Sequence, residues 1–177
     1  GSVYLTSYDF GLLFRLNVDG SIDTLLSQLK GPSGIALDTH GDLYINQNAA
    51  KAITKYNVEH KKHELVYSGP PLIWNTAIAI SEDNTIFTNN MWTGEISTWK
   101  EGQLSLVGVL PAVLDTEPDL GYMEEVGKVL ICAHVGNHVI YSVGPQSGFY
   151  KILVGNDGQP GDRDGDRLLK IYSPRFL

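Results

Sequence analysis

Leu43-Tyr44-Ile45-Asn46 is a short apolar strand signal that occurs four times in the chain. Val3-Tyr4-Leu5-Thr6 precedes it, and Ile86-Phe87-Thr88-Asn89 and Val129-Leu130-Ile131-Cys132 follow it, at spacings of 40, 43 and 43 residues. Periods of this length mark arrays of supersecondary units. Ten residues after each start stands a second apolar anchor: Leu13, Ile53, Ile96 and Val139. These anchors lie in the alternating runs 12–16, 52–56, 95–99 and 138–141. Alternation at period two predicts half-buried strands.

Two more strands complete each unit. A turn at Asp19-Gly20, His60-Lys61, Glu101-Gly102 or 146–148 leads into Thr24-Leu25-Leu26, Glu64-Leu65-Val66, 104–107 or Ile152-Leu153-Val154, as hairpin chemistry requires. Before the next repeat comes a run of small and apolar residues, at 34–38, 77–81 and 121–124. Small residues let innermost strands crowd around a common axis. The expected fold class is therefore all-β, with propeller blades of four antiparallel strands and four repeats in one repeat domain. The blades span about 3–30, 31–73, 74–116 and 117–172, and 173–177 has the pattern to complete the first. Three assemblies stay open: a closed ring, a fragment of a six-bladed propeller, or half of a dimeric ring, so a homodimer is among the expected partners.

Two stretches carry a family likeness. Gly31-Pro-Ser-Gly-Ile-Ala-Leu-Asp-Thr-His-Gly-Asp-Leu-Tyr-Ile45, and the Gly-Asp-rich segment 155–166 leading to Ser173-Pro174-Arg175, resemble NHL repeats. That resemblance implies a propeller, and it leaves function open among scaffolds, receptors, RNA binders and lyases. More distantly, Glu117-Pro118-Asp119 to His134-Val135-Gly136-Asn137-His138-Val139 is similar to gluconolactonase and regucalcin-like propellers. This second likeness implies a divalent cation such as calcium, held where the innermost strands begin. Asp119 matches such a ligand, whereas Ser33, Thr76 and Arg175 occupy the other three positions. No cofactor is expected on that count, a bound divalent cation being the alternative.

Composition excludes several classes. With a formal charge of −7 the chain repels phosphate backbones. Its one basic cluster, Lys55 to His63, lacks the interleaved aromatics that base stacking uses, so no nucleic-acid partner is expected. No apolar run reaches the roughly 18 residues of a membrane helix, and no membrane partner is expected. A single cysteine, Cys132, stands in an apolar run and reads as a buried small hydrophobe. The sequence gives no localisation.

In a propeller the loops leading into the innermost strands and the loops between second and third strands open on one face. That places Tyr8, Asp9, Trp74, Asn90, Trp92, Asp119, His134 and Arg175 together as candidate ligand-binding residues. Trp74 and Trp92 stand out because large aromatics in loops are enriched where partners bind. His134 is the one histidine placed beside Asp119, and imidazole is the usual general base near neutral pH. The expected function is a binding module that presents this face to a small molecule or a protein segment. The alternative is a metal-dependent, lactonase-like hydrolase or a lyase at the same mouth, built on Asp119 and His134.

Overall fold

The computed structural model describes residues 2–111, 120–156 and 158–161. Among them the regular structure is all strand, with no helix. The chain divides into two compact units, Gly1–Asn75 and Thr76–Leu177.

The first unit holds two antiparallel sheets. β1 (Val3–Ser7), β2 (Leu12–Leu16) and β3 (Ile22–Leu26) form a three-stranded sheet in that order. β4 (Pro32–Leu37), β5 (Leu43–Gln47), β6 (Ala52–Asn57) and β7 (Lys62–Ser68) form a four-stranded meander. Alternation decides the packing: Leu43, Ile45 and Tyr56 point to one side of the second sheet and meet Leu13 of the first. Tyr4, Leu25, Leu26, Leu29, Ile35 and Val58 pack around this core.

The second unit repeats the arrangement. β8 (Ile78–Ile80), β9 (Ile86–Asn89), β10 (Glu95–Lys100) and β11 (Gln103–Val109) form one four-stranded sheet. β12 (Leu120–Val126), β13 (Val129–His134), β14 (Val139–Val143) and β15 (Tyr150–Gly155) form the other. Its core joins Ala77, Ala79, Phe87 and Ile96 to Met123, Leu130, Cys132, Val139, Tyr141 and Val143.

In the first and third sheets the segment leaving the last strand returns to the turn after the sheet's β1 or β9 strand. Leu29 donates its N–H to the Gly11 carbonyl at 3.0 Å, and Leu110 donates to the Gly94 carbonyl at 2.9 Å. Gly11 and Gly94 have φ of +63° and +72°. A side chain there would start 2.3 or 2.4 Å from the Leu29 or Leu110 carbonyl oxygen, so only glycine admits this close passage.

The register corrects one spacing. Thr6 pairs with Leu13, Asn46 with Ile53, and Asn89 with Ile96, always seven residues apart. In the fourth sheet Val139 pairs with His134, only five residues before it. The β13–β14 turn is two residues shorter than its counterparts. His138 closes it in a left-handed conformation, its N–H bonded to the Val135 carbonyl at 3.3 Å. His134, not Cys132, is therefore the structural counterpart of Asn46 and Asn89.

Cys132 is fully buried, and burial pushes its thiol up to about 12. The folded protein at pH 8 is expected to leave an aromatic disulfide reagent unreacted, with one thiol released per chain after denaturation. Fast reaction of the native chain would contradict this placement.

Candidate functional site

The loops that follow β1 and β5, with the segments leading into β4 and out of β7, lie at one end of the first unit's sheets. Tyr8 and Asp9 project from the β1–β2 turn, and Tyr8 is 48% exposed. Its ring and the Ala49 Cβ close from two sides on Gly31, which ties three loops together.

Trp74 lies in the loop after β7. It is 48% exposed and adopts φ +55°. For a bulky residue that conformation is an outlier and persists only when its surroundings enforce it. Both sides are anchored. Gly69 donates to the Lys51 carbonyl at 3.0 Å, Leu72 donates to the Gly69 carbonyl at 3.0 Å, and the Leu72 side chain is buried. On the other side Asn75 is fully buried. Its carbonyl accepts the Ser33 hydroxyl proton at 3.1 Å, and its Nδ2 donates to the Ala52 carbonyl at 3.5 Å.

Beneath these loops lies a layer of polar side chains that serve the backbone. The Thr6 hydroxyl donates to the Ser33 carbonyl at 2.7 Å. Gln47 Oε1 accepts the Lys30 N–H at 2.7 Å, while its Nε2 donates to Thr54 Oγ1 at 2.6 Å.

In the second unit, Asn90 shapes the β9–β10 turn. Its Oδ1 accepts the backbone N–H groups of Trp92 at 3.0 Å and Thr93 at 3.3 Å, an Asx turn that directs Trp92 outward. Trp92 is 37% exposed. Just below, Asn89 Oδ1 accepts from Ala77 N–H at 2.7 Å and Thr76 N–H at 3.1 Å, fixing the start of the innermost strand.

His134 has no exposed surface. Its Nδ1 accepts the Asn137 N–H at 3.1 Å, and its ring meets Tyr141 edge-on with centroids 5.9 Å apart. Asn137 Nδ2 in turn donates to the Pro111 carbonyl and to the Tyr141 hydroxyl, both at 2.9 Å. The shortened turn explains the burial: it draws His134 back into the strand end, where the sequence spacing had put it in the loop. Asp119 and Arg175 lie outside the described residues. Among those that are described, no group of three or more His, Cys, Asp or Glu side chains could hold a metal ion.

A second polar cluster sits at the other end of the second sheet, and Lys55, the first residue of the basic run 55–63, is at its centre. Asp38 and Asp42 are only 8% and 7% exposed. Lys55 Nζ lies 2.9 Å from Asp42 Oδ2 and 3.5 Å from Asp38 Oδ2, and 5.3 Å from the centre of the Tyr44 ring. Asn57 Nδ2 donates to Asp42 Oδ1 at 2.8 Å. Burial alone would raise the Asp42 carboxyl, but the hydrogen bonds from Lys55 and Asn57 hold it below the usual carboxylate range. Burial opposes the Lys55 charge too, and hydrogen bonds to Asp42 and Tyr44 hold its ammonium above the usual lysine range. Next to this cluster is a cavity of about 340 Å³ lined by Asp42, Lys55, Asn57, His60, Lys62, His63 and Glu64. The sequence signal was Asp38 and Asp42 flanking a turn, with Lys55 in the middle of an apolar strand.

No family model and no curated protein matches the chain. Solved structures do. An auxiliary nutrient binding protein from Bacteroides thetaiotaomicron superimposes with a TM-score of 0.77 at 12% identity, over 97% of this chain and 43% of that one. Virginiamycin B lyase from Staphylococcus aureus gives 0.68 at 18% identity, over 86% and 52%. A chain of the nidogen/laminin complex gives 0.71 at 18% identity, over 87% and 60%. These neighbours are β-propeller proteins. The chain is built of propeller blades. It spans about half the length of the neighbours it matches, and at these identities the likeness concerns the fold alone.

Proposed function

We propose that these blades form a binding module whose loop face takes a small ligand or a protein segment. The observation that carries this reading is Trp74, a half-exposed indole held in a left-handed backbone conformation between two buried anchors, Leu72 and Asn75. An aromatic platform fixed before binding loses little conformational freedom when a partner covers it. Tyr8 and Asp9 in the same unit are the further contact residues of this reading, and Trp92 on its Asx turn is the candidate contact of the other unit by itself. Asn90 acts through the turn it builds. Asp119 and Arg175 are contact residues by sequence position.

Nutrient-binding proteins among the structural neighbours support a binding role by analogy, and the lyase is the precedent for chemistry on such a scaffold. The NHL-type assignment belongs to the same proposal and rests on the glycine and proline pattern of 31–45. His134 enters as a packing residue, because its burial and its bond from Asn137 leave the ring inside the sheet end.

The test is a thermal-shift screen of the full chain against monosaccharides, nucleosides, amino acids and short peptides, repeated with Trp74→Ala and Trp92→Ala. At least one compound is expected to raise Tm, and one of the two substitutions is expected to weaken its binding by tenfold or more, the usual weight of a central aromatic contact. A screen without hits, or hits that survive both substitutions unchanged, would overturn the proposal.

A further inference from the structure

The cavity beside the Lys55 cluster is walled by the β6–β7 hairpin: Asn57 ends β6, His60 lies in the turn, and Lys62 and Glu64 open β7. Hydrogen-bond chemistry orients these groups from the buried side outward. The Asp42 carboxylate can only accept, so the Asn57 amide must turn its Nδ2 towards it, at 2.8 Å. The other end of the amide is then Oδ1, which accepts the backbone N–H of His60 at 2.7 Å and faces the ring Nδ1 at 2.8 Å. A carbonyl oxygen has no hydrogen to give, so Nδ1 carries it. In the neutral ring the lone pair is therefore on Nε2, the nitrogen left for a ligand in the cavity.

The charges around the cavity are matched unevenly. Asp42 has Lys55 at 2.9 Å, the Asn57 amide and the Val58 N–H. Glu64 stands opposite Lys55 in the β6–β7 register, whereas Lys62 stands opposite the uncharged Asn57. Among the described residues the Lys62 ammonium makes no hydrogen bond or ion pair. The cavity thus holds one cation without a counter-charge and one imidazole with a fixed acceptor nitrogen.

These two groups ask for different things from one ligand. Lys62 calls for an anion, and His60 Nε2 for a hydrogen-bond donor. Carboxylates have lost their acid hydrogen well below neutral pH, and sulfate has none to offer. A phosphate monoester gives up its second proton only at about pH 6, so near neutrality it is an anion that still shares a hydrogen. The cavity volume of about 340 Å³ is at the small end of the range for small-molecule sites, which suits a compact monoester.

We infer that this cavity binds the phosphate group of a small phosphate monoester, whose anionic oxygens meet Lys62 Nζ and whose remaining acid hydrogen is shared with His60 Nε2. Asp42 and Asn57 act as positioning residues that fix the imidazole. Glu64 is the opposing charge on the same strand and limits the affinity.

The probe is inorganic phosphate, titrated into the full chain at pH 7 and constant ionic strength and followed by the imidazole nitrogen signals of His60 and by the backbone amides. Saturable shifts are expected at His60 and Lys62, with Nε2 moving towards its protonated position while Nδ1 keeps its hydrogen. Glycerol phosphate should bind at least as tightly. Sulfate and acetate should bind about tenfold more weakly, and Lys62→Gln should weaken phosphate binding by a similar factor, each removing one charge-assisted hydrogen bond. Glu64→Gln should tighten it about threefold, the weight of one like charge removed at an exposed position. Both side chains are exposed, and the amide spectrum of each variant verifies its fold. The inference is overturned if His60 does not respond, if sulfate matches phosphate, if Lys62→Gln leaves the affinity unchanged, or if Glu64→Gln lowers it. It also fails if the shifts gather at the Trp74 indole, or if a phosphoserine peptide binds where glycerol phosphate does not. The loop-face reading rests on other residues, so each of the two can fail alone.

Discussion

Lys55→Met is expected to destabilise the first unit by about 3 kcal/mol near neutral pH. The side chain is nearly isosteric, so the packing of its stem on Tyr44 survives. What is lost is the charge between Asp38 and Asp42, two carboxylates less than 10% exposed. Removing one partner from a buried ionic cluster typically costs 3–5 kcal/mol, because the remaining charge stays desolvated and unpaired. Part of Lys55 reaches solvent, which argues for the lower end.

The pH dependence gives this prediction a second handle. Asp42 is held below its ordinary pKa, so its contribution is present above the unfolded value of about 4 and is lost as pH falls through the lower folded value. Lys55 is held above its ordinary pKa. Its contribution is present below about 10 and is lost only as pH rises through the folded value. Urea denaturation of wild type and variant should show a difference that is flat from about pH 5 to pH 9 and shrinks towards pH 3. A difference that persists undiminished in acid would mean that packing, not charge, carries the effect.

Tyr141→Ala should cost more, about 4 kcal/mol in the second unit. The ring is fully buried, with edge-on contacts to His134 and Tyr150 at centroid distances of 5.9 and 5.5 Å. Its hydroxyl receives one of the two hydrogen bonds from Asn137 Nδ2. Truncating a buried aromatic to alanine removes the burial term and leaves a cavity, together 3–5 kcal/mol. Tyr141→Phe separates the parts: it keeps the ring and should cost about 1 kcal/mol for the lost hydrogen bond. If the two substitutions proved equally harmful, the hydroxyl network around Asn137 rather than the ring would organise this sheet end.

Sequence reading lacked the length of each turn and the hydrogen bonds inside it. His134 looked like a loop residue because four hairpins were given a single length, and the two residues missing from this turn draw it into the strand end. Asn90 was named as a contact residue, and what its sequence did not show is that its Oδ1 holds its own turn through the Trp92 and Thr93 N–H groups. Lys55 was read only as part of the basic run 55–63, and its contact with Asp38 and Asp42 depends on strands distant in sequence. Trp74, in contrast, was legible as an aromatic in a loop, although its left-handed backbone and its two anchors were not.

By itself the sequence determined the four-fold repeat, the strands and their turns, the small residues of the innermost strands and the burial of Cys132. All of these follow from alternation, turn chemistry and side-chain size, which act over a few residues and are written along the chain. Only the tertiary structure decided which polar side chains serve the backbone and which face outward, and that Lys55 sits between two buried aspartates. Those properties depend on register between strands, and register is fixed by pairing partners that are distant in sequence.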